Sequence, residues 1–351
     1  MIITSSVQAD DLRVCVIGLG RMGLRHIEAA RHLSMNICGV ADISAVALQT
    51  VQNRYGISAE ICFTDAYEMI ARIQPEALVI ATTAPTHAPF VLAATKLGVQ
   101  YVLCEKPLAT SLADAHAMLN ACERAGTRLA VNHQMRYMAQ YTQVKALIGS
   151  DELGPLASIL VAGSNFGLAM NASHYFEMFR YISGESVFDL HAWFEDAQLD
   201  NPRGAQFEDR SGRLLARSES GVSMYIDFSA NAGWGLQVVY ICRYGQIVVD
   251  ELNGEMRVSA RQVKYRDLPT SRYGMPVDIR TEQIAPADTV MPTMAVWNAM
   301  LAGGEEGYPN GAAGAHALAC LVAAHVSHET GGRTVRLDEA VLPRERVFKW
   351  A

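Results

Sequence analysis

Three glycines, Gly18, Gly20 and Gly23, stand at G-x-G-x-x-G spacing directly after the apolar run Val14-Cys15-Val16-Ile17. Each glycine has its own physical job in a strand-turn-helix: Gly18 permits a tight turn, Gly20 lets backbone approach a pyrophosphate, and Gly23 lets helix and strand pack closely. The free N–H groups at the start of such a helix favour anions. About 20 residues further on, where the ribose ligand of this pattern belongs, a second apolar segment, Ile37-Cys38-Gly39-Val40-Ala41, ends at Asp42. A carboxylate there accepts hydrogen bonds from a ribose diol and repels a 2′-phosphate. Ile43 and Ser44 offer no cation to hold such a phosphate. The pattern therefore predicts a dinucleotide site with NAD preferred to NADP, and Asp42 could also cap the helix that follows.

A second chemical candidate is Lys106. It follows the apolar run Tyr101-Val102-Leu103-Cys104 and precedes Pro107, within Glu105-Lys106-Pro107. In an open α/β sheet, ligands bind beyond the carboxyl ends of the strands, so a lysine there faces the same crevice as the phosphate loop. Other constellations are weak. His316 with Cys320, or His325 with His328, could share a helix face, but neither pair has further ligands at convincing spacing, and no metal is expected. No G-x-S-x-G motif is present, which removes that route to serine hydrolase chemistry.

The elements that must position these residues alternate strand and helix. Ala77-Leu78-Val79-Ile80-Ala81-Thr82 is a continuous apolar run with the pattern of a central parallel strand, and it ends in Thr82-Thr83-Ala84-Pro85-Thr86-His87, a loop expected to line the cofactor. Helices are expected over Ala88 to Leu97 and from Ser111 to Ala125, each ended by a glycine. Leu129 to Asn132 makes the last strand of a first domain. Beyond Gly154-Pro155 the segments become short and β-rich, as in Ala157–Gly163, Val222–Ala230, Leu236–Cys242 and Gln246–Val249. They predict an antiparallel sheet with one helix inserted near His174 to Ile182. The chain then returns to helices over Val290 to Leu301 and Gly311 to His328.

With 351 residues, the chain fits two domains, read here as 1–132 for the dinucleotide and 133–351 for substrate binding and oligomerisation, with the C-terminal helices able to pack back on the first. The net charge is 29 minus 36, or −7, and no basic run stands out, which argues against nucleic acid or an anionic membrane as partner. Met1 to Asp11 lacks the basic start and apolar core of a signal peptide, and no apolar run approaches the ~20 residues needed to cross a bilayer. Seven scattered cysteines, an odd number, fit a reducing cytoplasm.

These motifs together resemble the glucose–fructose oxidoreductase / inositol dehydrogenase / rhizopine-catabolism (Gfo/Idh/MocA) oxidoreductases. The likeness runs from Gly18–Gly23 with Arg25-His26, through Asp42, Ala81–His87 and Glu105-Lys106-Pro107, to Val131-Asn132-His133 with Arg136-Tyr137. It continues through Ser173-His174-Tyr175 and the closing Ala323–Gly332 with Thr334-Val335-Arg336-Leu337. It implies an α/β protein: an N-terminal Rossmann domain with a doubly wound parallel sheet, then a C-terminal α/β domain on a large, mainly antiparallel, open-faced sheet. It also implies NAD as cofactor, a sugar or polyol as substrate, and a homodimer or homotetramer paired through the open sheet face.

The resemblance further implies roles for single residues. Lys106 would contact the substrate hydroxyl and the nicotinamide ribose, and His174 would be the general acid/base. Gly18, Gly20, Arg21, Met22, Gly23, Asp42, Thr82, Thr83, His87, Glu105 and Lys106 would hold the cofactor, with Arg136 and Asn171 joining Lys106 and His174 at the substrate. One position departs from the pattern: the aspartate usual four residues before the histidine is Met170 here, and the nearest polar residue is Asn171. Asn171 can hydrogen-bond a hydroxyl but is no base, and Glu177 could supply the carboxylate instead. The leading expectation is an NAD-dependent oxidoreductase acting on a secondary hydroxyl of a sugar, cyclitol or sugar derivative, nucleotide-activated ones included. The alternatives are a regulatory protein that binds NAD and a sugar without turnover, and an enzyme that uses NAD transiently for elimination or epimerisation.

Overall fold

The computed structural model describes residues 9–351 apart from 11, 165–166, 197–200, 234, 270–274, 286–287, 305–306, 339 and 341. Most of the polar N-terminal stretch read above, Met1 to Asp11, lies outside the described residues. The chain divides into two compact units, and neither is a single continuous segment. The first comprises Met1–Gln134, Asp288–Leu318 and Pro343–Ala351, and the second Met135–Ala287 and Ala319–Leu342.

The first unit carries a six-stranded parallel sheet. Its strands are β1 (Arg13–Ile17), β2 (Asn36–Ala41), β3 (Cys62–Phe63), β4 (Ala77–Ile80), β5 (Tyr101–Cys104) and β6 (Arg128–Val131), in the order β3-β2-β1-β4-β5-β6. That is the doubly wound order, whose strand order reverses next to β1. Every residue of β4 and β5 is buried, which explains why their sequences read as unbroken apolar runs. Helices α1 (Arg21–His32), α2 (Ala45–Tyr55), α3 (Ala66–Ile73), α4 (His87–Lys96) and α5 (Leu112–Ala125) connect the strands. Their ends follow local rules: the Asp65 and Ser111 side chains accept first-turn N–H groups, and Gly56 and Gly126 close α2 and α5 in the left-handed conformation.

The second unit opens with α6 (Ala139–Leu147) and contains α7 (Ser173–Ser183). Its nine strands are β7 (Leu156–Gly163), β8 (Asp189–Phe194), β9 (Gly212–Arg217), β10 (Ser223–Phe228), β11 (Leu236–Cys242), β12 (Gly245–Asp250), β13 (Glu255–Arg261), β14 (Val277–Gln283) and β15 (Val335–Arg336). They form one sheet in the order β14-β13-β12-β11-β7-β10-β9-β8-β15, antiparallel except where β10 lies parallel to β7. Burial alternates along the strands: in β7, Ile159 and Val161 are buried while Leu160 is exposed, and Trp193 on β8 is 48% exposed. One face of the sheet thus packs a core and the other carries exposed apolar side chains. The last helices are α8 (Val290–Ala302), which packs on α1 within the first unit, and α9 (Gly311–Glu329). Among the described residues, no helix is long and apolar enough to cross a membrane.

Candidate active site

The three glycines behave in space as their spacing implies. Gly18 has φ +85°, and a Cβ there would lie 2.7 Å from the Ala81 carbonyl carbon on the neighbouring strand end. A Cβ on Gly23 would sit 1.9 Å from the Gly18 oxygen, so helix and turn touch only because Gly23 is bare. Around Gly20 the situation is reversed: a Cβ would meet nothing within 4 Å. The chain therefore leaves space at the residue where a pyrophosphate approaches the backbone. Gly20 caps α1 with no side chain to accept the first-turn N–H groups, and that turn has no acidic residue to compete with an anion.

Asp42 joins this turn to the end of β2. Its Oδ2 accepts the Leu19 N–H at 2.7 Å and its Oδ1 accepts the Ser44 N–H at 2.8 Å, while Ser44 itself caps α2 by accepting the Ala47 N–H. The carboxylate is half-buried, with the 94% exposed Ile43 beside it. A dinucleotide whose ribose diol donates to Asp42 fits these residues, and a 2′-phosphate would meet a fixed negative charge.

Lys106 follows β5 and is joined to Pro107 by a cis peptide bond. The residue before it is held unusually firmly. Glu105 is buried, and its Oε1 faces the His26 Nε2 at 2.9 Å and accepts from the Asn132 Nδ2 at 2.7 Å. Burial alone would push this carboxyl up. The His26 hydrogen bond and charge, the Lys106 ammonium and the Asn132 amide outweigh it and hold the carboxyl down at about 2. His26 lies on α1, one turn beyond Gly23, so the phosphate-facing helix and the lysine-bearing strand end are locked through one carboxylate. The sequence shows Arg25-His26 beside the glycines, but no spacing rule points from His26 to Glu105.

His87, expected among the cofactor contacts, is fully buried, with Nδ1 3.0 Å from the Pro107 oxygen and Nε2 3.2 Å from the Thr82 oxygen. Burial pushes its imidazole down, against the pull of those carbonyls. A neutral imidazole has one N–H, so His87 donates to one of these carbonyls and packs its other nitrogen against the second, between the loop after β4 and the loop after β5. Thr82 and Thr83 remain half-buried at the end of β4, where Thr86 Oγ1 donates to Thr82 Oγ1 at 2.6 Å.

In the second unit, His174 stands in the first turn of α7 and is buried. The segment before it, Leu168–Ala172, is a π-helical turn entered through Gly167 at φ +71°. The spacing of four between residue 170 and His174 is therefore not that of one α-helical turn, because the turn is wider there. Met170 and Asn171 are half-buried within it. Glu177, the alternative carboxylate, is fully committed elsewhere: Oε1 accepts from Arg136 Nη1 at 3.0 Å and Arg180 Nη2 at 3.1 Å, and Oε2 from Arg180 Nε at 2.9 Å. The Arg136 and Glu177 side chains are 8% and 1% exposed, and the Arg136 guanidinium lies 4.6 Å from the Tyr181 ring centre. This pair braces α7, the helix that carries His174.

Residues 12–133 match the model of the oxidoreductase family described as having an NAD-binding Rossmann fold. A myo-inositol 2-dehydrogenase from Thermotoga maritima is 28% identical over 242 residues, covering 64% of this chain and 70% of its own. A D-apiose dehydrogenase from Paraburkholderia graminis is 27% identical over 339 residues, covering 92% and 88%. Residues 12–133 carry the NAD-binding Rossmann part of the Gfo/Idh/MocA oxidoreductases. The likeness in fold extends beyond the Rossmann part: a solved inositol dehydrogenase homologue from Azotobacter vinelandii, complexed with NADH and myo-inositol, superimposes with a TM-score of 0.76 at 17% identity, over 93% of this chain and 98% of that one. The glycine loop, Asp42 and Glu105-Lys106-Pro107 all stand at strand ends of one sheet, within the first unit.

Proposed function

We propose that this enzyme transfers a hydride between NAD and a secondary hydroxyl carbon of a sugar, cyclitol or related polyol. The observation that carries the reading is Lys106, placed at a strand end by a buried glutamate that is itself bound to the phosphate-facing helix. The relatives named for myo-inositol and D-apiose support the substrate class. Bound NAD would supply the hydride acceptor. Gly18, Gly20, Arg21, Met22, Gly23 and Asp42 hold its adenosine and pyrophosphate side, with Thr82, Thr83 and Glu105 at the neighbouring strand ends. The Lys106 ammonium lowers the pKa of the substrate hydroxyl and stabilises developing negative charge on its oxygen. His174 takes the hydroxyl proton, a role suited to an imidazole, which can accept a proton at one ring nitrogen while the other is held by a hydrogen bond. Asn171 hydrogen-bonds a neighbouring hydroxyl, and Arg136 acts chiefly through Glu177 as a brace.

The exposed apolar side chains on the open face of the large sheet, Leu160 and Trp193 among them, support pairing of subunits through that face. Seven free thiols support a reducing, cytoplasmic setting. The test is a panel of polyols that includes myo-inositol and D-apiose, read for both NADH formation and thermal stabilisation. At least one polyol is expected to reduce NAD. Stabilisation by a polyol without any redox change would replace this reading with a non-catalytic sensor.

A further inference from the structure

Asp209 lies in the loop before β9, 40 residues along the chain from Ala169, and no motif marks it. In the fold it meets the π-helical turn that leads into that helix. Its Oδ1 accepts the Ala169 N–H at 2.7 Å and its Oδ2 accepts the Met170 N–H at 2.9 Å. The next residue continues the contact, because the Arg210 carbonyl accepts the Leu168 N–H at 3.0 Å. Three consecutive N–H groups at the start of the turn are thus taken by two consecutive residues of a distant loop. That loop is anchored in turn: Arg210 Nη2 donates to the Glu195 carbonyl at 2.9 Å, and the Glu195 N–H donates to the Ser211 carbonyl at 3.0 Å.

Gly167 is shaped to admit the carboxylate. A Cβ at that position would lie 2.1 Å from Asp209 Oδ2, and φ +71° is already costly for any residue with a side chain. Glycine at 167 and aspartate at 209 therefore form one device. A π-turn is intrinsically poor compared with an α-helix, and such turns persist where surrounding structure holds them. Here the holding group is a carboxylate, whose hydrogen bonds to backbone N–H groups are about twice as strong as neutral ones.

We infer that Asp209 is a positioning residue for the reaction: its carboxylate pins Leu168–Ala172 in the π conformation and thereby sets where Asn171 and His174 stand. Met170 occupies the place of the aspartate that the family resemblance leads one to expect, so the negative charge at this turn comes from a different part of the chain. The residue works through the backbone of the turn and touches no substrate. The inference rests on the proposed roles of Asn171 and His174, and its test separates the two.

Amide hydrogen exchange is followed across residues 167–175 in the full-length wild type, Asp209→Asn, Asp209→Ala and Gly167→Ala, with melting temperature as the check on folding. The nearly isosteric Asn keeps one acceptor for two N–H groups, so exchange at Ala169 and Met170 is expected to rise on the order of tenfold in Asp209→Asn and further in Asp209→Ala. Gly167→Ala should reproduce the effect without touching the charge. With a polyol that the wild type oxidises, kcat is expected to fall roughly 10- to 100-fold in Asp209→Asn while KM for NAD stays unchanged. Unchanged exchange at Ala169 and Met170 in both Asp209 variants would overturn the inference, as would faster exchange with wild-type kcat. Failure of the wild type to oxidise any polyol would overturn the proposed function, and the exchange experiment would then decide the Asp209 restraint alone.

Discussion

Two glutamates, one in each unit, have carboxyls pushed in opposite directions, and the difference is one of partners. Glu105 faces an imidazole, an ammonium and an amide, which together hold it at about 2. The carboxyl of Glu251 is buried although the rest of the residue reaches solvent, and it accepts only from neutral phenols, Tyr141 Oη at 2.5 Å and Tyr175 Oη at 2.9 Å. Burial therefore dominates there, and those hydrogen bonds only partly offset it, leaving the carboxyl at about 7 against an ordinary 4.5. A raised acid binds a proton more tightly in the folded state than in the unfolded one. Its effect on stability is therefore absent below about 4.5, grows unfavourable as the pH rises from about 4.5 to about 7, and is constant above. Glu251→Gln is expected to raise the melting temperature by several degrees at pH 8 and to leave it nearly unchanged at pH 4. A melting series across that range checks it, and an equal shift at both ends would contradict the account.

At the scale of elements, the glycine loop separates folding from binding within six residues. Gly23→Ala drives a Cβ into the Gly18 oxygen and should cost stability outright, whereas Gly20→Ala adds a methyl to open space. The expectation for Gly20→Ala is an unchanged melting temperature without ligand and NAD binding weakened about tenfold or more, measured by calorimetry. A loss of stability without NAD, or undiminished affinity, would contradict the loop's assigned role. This loop was legible because its demands are local: three missing side chains at fixed spacing after an apolar strand. The parallel strands were legible too, since burial on both faces leaves unbroken apolar runs such as Ala77–Ile80. The second sheet was legible only in part. Strands β8, β9, β13 and β14 escaped the sequence reading because one or both of their faces are polar, as in Val277–Gln283, where six of seven residues are exposed. The π-turn gave no signal at all, because what holds it is Asp209, a residue remote in sequence.

At the scale of the whole molecule, the expected cut after residue 132 meets a chain that returns: residues 288–318 and 343–351 count with the Rossmann unit. The return is visible in detail, where the Pro309 carbonyl accepts the Val131 N–H at 2.8 Å and the Arg128 Nη1 donates to the Met300 carbonyl at 3.0 Å, closing the β6 edge of the sheet. Gly311 and Gly314 fit there because a Cβ on either would collide with Leu119 or Val131. Sequence periodicity shows that these helices are apolar but not which core they join, since a contact across nearly two hundred residues leaves no local pattern. What the first unit does is the central claim, and Lys106 is where it is most exposed to test. Lys106→Ala should weaken NAD binding only modestly, because the glycine loop and Asp42 are untouched, and should lower kcat for the oxidised polyol by roughly 100-fold or more. Turnover at the wild-type rate by a Lys106→Ala enzyme would contradict the account at its centre.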